Sequence, residues 1–245
     1  VQPIWVIQSS GQVTVEGNEV LSDETVRSLL PITYPQSILK IQPQAIANHL
    51  EAQAPIAEAT VIRRLLPPGL VVQIQERHPV AVLIRQEASS SPNTPPLRGG
   101  SVDQPAYGTS TQVGLIDEKG FWMPLDDYIA LNENLEIPSL KVVGMREQDR
   151  LEWSQLYHDL LQSPVQVFEI DWRNPTNLVL DTELGTVYLG AYSSQFLAQL
   201  RVLDQMRNLP NVLQSNDIEY IDLTHPEEPF IQTRQRIQPD PLPSP

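Results

Sequence analysis

Between Ala59 and Ala81 the chain writes out two strands and the turn between them, and this constrains the fold more than any other stretch. Leu70, Val72 and Ile74 alternate with Val71, Gln73 and Gln75, so one face of the second strand is apolar and the other largely wet. Leu66-Pro67-Pro68-Gly69 forces a turn before it. Arg77-His78-Pro79 breaks it afterwards, because proline has no N–H to give to a ladder. The expected strands are 57–66 and 69–83, with a hinge at the break.

The residues upstream supply what that apolar face packs on. Gln12-Val13-Thr14-Val15-Glu16 alternates as a strand and ends at Gly17-Asn18. Ser22 is positioned to cap a helix whose first turn holds Asp23 and Glu24 and whose inward face carries Val26, Leu29 and Leu30. Pro43 opens a second helix with Ile46 and Leu50 one turn apart, and Pro55 follows it. The order is β-α-α-β-β.

Further along, residues 87–112 break the composition with Ser89-Ser90-Ser91-Pro92, Pro95-Pro96 and Gly99-Gly100. Such a segment buries too little apolar surface to offset its ordering entropy, and a disordered insert is expected there. Gly114–Asp117 and Phe121–Met123 flank Glu118-Lys119-Gly120 as a hairpin, and a short strand is expected over Pro138–Val143. Trp153, Leu156, Tyr157, Leu160 and Leu161 have helical spacing, stopped by Ser163-Pro164. Strands over 165–171, 177–181 and 185–189 read as an antiparallel meander. A last helix begins at Ser193 or Ser194 with Phe196, Leu200 and Leu203 inward, and strands at 218–223 and 230–233 close the pattern. The Pro-rich end, 234–245, reads as a frayed tail.

Chemistry has few footholds. The chain has no cysteine, so disulfides, thiolate metal sites and cysteine nucleophiles are excluded. His49, His78, His158 and His225 are not at metal-ligand spacing, and no nucleotide-binding or hydrolase motif occurs. Asp126-Asp127 and Glu227-Glu228 are adjacent pairs in turn-like contexts, which does not suit paired acid–base work. Neither a metal, a cofactor nor a catalytic residue is expected. The formal charge of −14 argues against nucleic acid or anionic lipid as a direct partner. That charge is uneven: about −2 falls on residues 1–79 and −12 on the remainder. No apolar run reaches the ~18–20 residues that span a bilayer.

Taken in order, the β-α-α-β-β grammar resembles a polypeptide-transport-associated (POTRA) domain. The run from the Leu-Pro turn through Glu76-Arg77-x-Pro79-Val80-Ala81 is similar to the version in the FtsQ/DivIB family of bacterial cell-division proteins. The Asp117-x-x-Gly120 hairpin and Tyr220-Ile221-Asp222-Leu223 are similar to features of that family's second, β domain, with Thr224 where an arginine usually follows. The resemblance implies an α+β protein: a POTRA domain over 1–78, then over 79–233 a curved antiparallel β domain with two packed helices.

By the same resemblance the protein is a non-catalytic divisome scaffold, held in the cytoplasmic membrane by one helix absent from this chain, with this segment on the periplasmic side. Its implied partners are FtsB-like and FtsL-like division proteins and the septal peptidoglycan synthase complex. An FtsB-type partner would add a strand at Tyr220, Ile221, Asp222, Leu223, Phe230 and Ile231, since an edge strand offers unpaired N–H and C=O groups. A second interface is expected at Val61, Arg63 and Arg64, one of the two arginines pointing outward. The competing reading is a POTRA-containing outer-membrane assembly or secretion factor that chaperones substrate strands. That class usually carries several POTRA units and a long run of amphipathic strands, and neither is visible here.

Overall fold

The alternation at Leu70, Val72 and Ile74 becomes the central strand of a three-stranded sheet. The computed structural model describes residues 5–88, 109–131, 136–207 and 218–233. Strand β5 (Gly69–Glu76) lies between β2 (Val13–Glu16), which runs parallel to it, and β4 (Ile56–Arg64), which runs antiparallel. Leu70 and Val72 are fully buried, whereas Gln73 and Gln75 are exposed. Each such buried aliphatic side chain is worth about 1.5–3 kcal/mol relative to exposure.

Two helices cover this face. In α1 (Asp23–Ser28) the Ser22 Oγ accepts the Thr25 N–H at 3.0 Å, so the expected cap forms. In α2 (Pro43–Glu51) proline occupies the first turn and Ile46, Ala47 and Leu50 are buried. The two-residue strands β1 (Val6–Ile7) and β3 (Gln36–Ser37) pair antiparallel, and Ile7 joins the same core.

The end of β5 is built around a carboxylate. Period 2 puts Glu76 on the inward face with Leu70, Val72 and Ile74, and it is only 6% exposed. Its two oxygens accept the backbone N–H groups of Glu19, Val20 and Leu21 at 3.0, 2.9 and 2.9 Å. The buried charge is thereby satisfied, and so are three donors of the segment entering α1. That segment approaches closely: a Cβ at Gly17 (φ 83°) would lie 2.3 Å from the Ile74 carbonyl oxygen, so only glycine fits.

Residues 114–117 and 121–137 belong to this first compact unit, although they follow the next strand in sequence. Here the end of β7 (Thr109–Asp117) pairs with β8 (Trp122–Pro124), register Leu115↔Met123. The Asp117 Oδ1 accepts the Phe121 N–H at 2.7 Å across the turn. A further helix, α3 (Leu125–Leu131), was not expected; it places Asp126 and Asp127 in its first turn rather than in a loop. Carboxylates there complement the partial positive charge of the helix N-terminus.

In the second unit, neighbouring strands run in the order β14-β13-β12-β11-β10-β9-β6. Their ranges are β6 (Pro79–Ala88), β9 (Lys141–Val143), β10 (Val167–Asp171), β11 (Leu178–Thr182), β12 (Gly185–Gly190), β13 (Ile218–Asp222) and β14 (Phe230–Thr233). The expected meander β10-β11-β12 and the closing pair β13-β14 are antiparallel. The expectation of an antiparallel sheet throughout is corrected: β9 is parallel to both β6 and β10, and β12 is parallel to β13, so the sheet is mixed.

The helices explain two of these parallel pairs, β9–β10 and β12–β13. Helix α4 (Arg150–Leu161) connects β9 to β10, and α5 (Phe196–Arg207) connects β12 to β13. A strand that returns through a helix to its neighbour's side runs parallel to it, unlike one that returns through a hairpin. Trp153, Leu156, Phe196, Leu200 and Leu203 are buried as expected. The face of α4 is rotated slightly from the expected one: Leu161 is exposed, and Asp159 is buried instead.

The expected insert, 87–112, falls partly on strands. Residues 87–88 extend β6 and 109–112 begin β7; residues 89–108 lie outside the described residues, as does the expected tail at 234–245.

Candidate partner-docking edges

Alternation separates the predicted site residues onto two faces. The register Ile170↔Leu180, Leu180↔Val187, Val187↔Ile221 makes one row across the sheet, and all four residues are buried. Leu223, just past β13, is buried as well. The side chains of Ile221 and Leu223 therefore anchor β13 in the core. A second row runs Asp171↔Val179↔Tyr188↔Asp222↔Phe230 and lies on the more open side.

Aromatic rings concentrate at the end of that open side. Tyr188 and Tyr220 meet edge to face at 5.3 Å between centroids, and Tyr220 and Phe230 lie 6.2 Å apart. Phe230 is 53% exposed, and Ile231 is half-buried. Strand β14 is the last in the order, with β13 as its one neighbour among the described residues. None of its residues is buried. Around it Glu219, Glu227 and Glu228 are exposed and Asp222 is half-buried, so the described residues at this edge are acidic, while Arg234 and Arg236 follow β14 in the sequence.

One buried device sets the position of β13, and the sequence reading did not name it. Gln199, on the inward face of α5 and 3% exposed, donates to the Leu189 and Leu223 carbonyls at 2.8 and 2.9 Å. Its spacing from Phe196 and Leu203 was the available signal. Thr224, standing where the resemblance led one to expect arginine, donates its backbone N–H to Asp222 Oδ1 at 2.9 Å. At the other end of the row, hydrogen bonds from Arg173 hold the Asp171 carboxyl below the usual carboxylate range, against a partial opposing effect of burial. Burial, then the charges of Asp159 and Glu152, push the Tyr192 hydroxyl up to about 12.

The second predicted surface is the other kind of edge. Strand β4 ends the order β2-β5-β4. Val61 faces inward and is 8% exposed, so its side chain packs in the core and presents nothing outward. Arg63 and Arg64 are both exposed, as is Ile62.

Below this edge the Glu-Arg pair completes its structural role. Arg77 Nη1 lies 3.3 Å from Asp117 Oδ2, and its guanidinium carbon stands 3.6 Å over the Phe121 ring. The Arg77 backbone N–H donates to Pro55 O at 2.8 Å, and the Tyr128 hydroxyl donates to Arg77 O at 3.1 Å. These charged groups are spent on structure. Among the described residues no three His, Asp or Glu side chains gather in a metal-holding group. No helix among them is long and apolar enough to cross a membrane.

Comparison with protein families places one match on the chain: residues 9–77 fit the family described as POTRA domain, FtsQ-type. No curated protein matches the chain. The matched span contains β2, α1, α2, β4 and β5 and ends at Arg77, within the Glu76-Arg77-x-Pro79 run that first suggested it. Residues 9–77 of the first unit match an FtsQ-type POTRA domain, which supports an FtsQ/DivIB-like assignment.

Proposed function

We propose that this chain is the extracytoplasmic part of a bacterial cell-division scaffold, anchored in the cytoplasmic membrane by a helix preceding it. The observation that carries this reading is the FtsQ-type POTRA domain at residues 9–77. That domain type belongs to a non-enzymatic scaffold family. The protein holds FtsB-like and FtsL-like partners and links the division ring to the septal peptidoglycan synthase complex. Residues 1–78 act as the POTRA domain and 79–233 as the partner-binding domain.

The docking edge in this reading is β14. An added strand satisfies the outward N–H and C=O groups of Phe230–Thr233 and covers Phe230 and Ile231. Tyr220 and Asp222 contribute from the open side, while Ile221 and Leu223 keep β13 in place from the core. The acidic surroundings favour a partner strand carrying Lys or Arg beside its apolar residues. Arg63 and Arg64 form a secondary surface on β4.

Depletion of the full-length protein tests the reading. Cells should elongate or swell without completing septa, and re-expression should restore division. Normal septation after depletion would overturn it. The purified chain should also leave muropeptides intact and bind no stoichiometric Zn²⁺. Turnover that survives repurification and vanishes on one point substitution would show an enzyme instead.

A further inference from the structure

The turn joining β4 to β5 holds its apolar residues out into solvent. Leu66 is 79% exposed, Leu65 45% and Ile62, just before them, 49%. The backbone beneath is ordered by side-chain bonds. Arg64 Nε donates to Pro67 O at 3.3 Å, and Gln12 Nε2 donates to Pro68 O at 3.0 Å. At Gly69 an added Cβ would stand 2.6 Å from the Gln12 carbonyl oxygen, so the turn sits flush on the segment entering β2. The leucines are thus presented on a fixed apex.

The segments that build this apex carry no Asp or Glu, in a chain that has 30. From Ala59 to Gln75 there is no carboxylate, and residues 5–15 carry no charge. The parallel register Val13↔Leu70 sets these two segments side by side. Along β4 the first carboxylate before Arg63 is Glu58, about 17 Å away at the rise of a strand. That exceeds the screening length of ~8 Å at physiological salt. The carboxylates of β4 therefore act weakly on what Arg63 and Arg64 meet, against the expectation from the net charge of −14.

We propose that this apex docks on an anionic phospholipid surface. Leu65 and Leu66 enter the headgroup–acyl boundary, and Arg63 and Arg64 bind lipid phosphates. Protruding leucines need a surface that yields around them, which a bilayer does and a nucleic acid does not. An acidic protein would pair with the arginines equally well but would need a pocket for each leucine. The apex is read from the first unit alone, so the inference stands apart from the division reading.

The absence of native cysteine makes the test direct. The full chain with Leu66→Cys carries one environment-sensitive nitrobenzoxadiazole label; Gln75→Cys, exposed on β5, is the control. Each is tethered by an N-terminal histidine tag to nickel-chelating vesicles of phosphatidylcholine, with or without phosphatidylglycerol. The label at position 66 should brighten and shift to the blue on phosphatidylglycerol vesicles only, and the label at position 75 on neither. Replacing both arginines by alanine should lower the inserted fraction at least about fivefold. No response on phosphatidylglycerol, or an equal response on neutral vesicles, would overturn the proposal. A response to polyglutamate without one to vesicles would assign the apex to an acidic protein and overturn it too.

Discussion

Strands β4 and β14 are both edges, yet they are built differently. Strand β4 is nine residues long and buries Ile56, Ala59 and Val61 against its own unit. Strand β14 has four residues and buries none. One edge is the finished side of a core; the other is a ladder with little beneath it. Pairing a partner strand to β14 adds backbone bonds and apolar cover together, whereas β4 already has its cover and offers only backbone and charge. Their charges also oppose: β4 ends in Arg63-Arg64, and β14 is flanked by Glu219, Glu227 and Glu228.

The contrast breaks first if the β4 side is not held from within. Glu76→Ala would take the carboxylate acceptor from the buried Leu21 N–H and from the part-buried N–H groups of Glu19 and Val20, and hydrogen bonds to a charged group are worth about 1.5–3 kcal/mol each. Urea unfolding should show a loss of at least about 3 kcal/mol in the first unit. A loss under 1 kcal/mol would mean that the clamp is dispensable. Asp117→Ala strands Arg77 in a site where the two side chains are 11% and 7% exposed, and should cost about 3–5 kcal/mol.

For the β14 side the expected effects are smaller. Gln199→Leu removes the donor from two buried carbonyls that hold β12 and β13, and should cost about 1–3 kcal/mol. If partner affinity falls with it, β13 is the platform for the edge; unchanged affinity would detach the two. Asp171→Asn should give the smallest change, and one that depends on pH. Its carboxyl is held below the unfolded value of about 3.9, so its contribution is present above that pH and fades as pH falls through the lower folded value. The gap in Tm between wild type and variant should be open at about pH 6 and narrow as pH falls below about 3.9. A gap that widened on acidification would contradict the Arg173 pairing.

Much of this architecture was legible where local pattern decides it. The alternation at Leu70–Ile74, the Ser22 cap and Pro43 each act within a few residues, and the strands and helices formed where they pointed. Pairing partners were less legible, because a strand's periodicity says which face is buried and not which neighbour lies beside it. The parallel pairs β9–β10 and β12–β13 followed from two strand–helix–strand connections that were visible in outline but not used. Helix α3 was missed although Leu125, Tyr128 and Ile129 stand at i, i+3, i+4, because it is only seven residues long and buries only Tyr128. The docking segment was read as one block at Tyr220–Leu223. Its own alternation already separates Ile221 and Leu223, which are core, from Tyr220 and Asp222, which face the open side.

Calorimetric titration of an FtsB-like segment into the wild-type chain, Phe230→Ala and Arg63→Ala tests the β14 assignment most directly. Phe230 is half exposed in the free chain, so its loss should leave the fold cooperative. Truncating an aromatic anchor at the centre of an added-strand interface typically costs about 2 kcal/mol, or roughly 30-fold in Kd. The account predicts that loss for Phe230→Ala and a change within about twofold for Arg63→Ala, which removes a side chain from the other edge. Unchanged affinity for Phe230→Ala with a large loss for Arg63→Ala would contradict it and make β4 the docking edge.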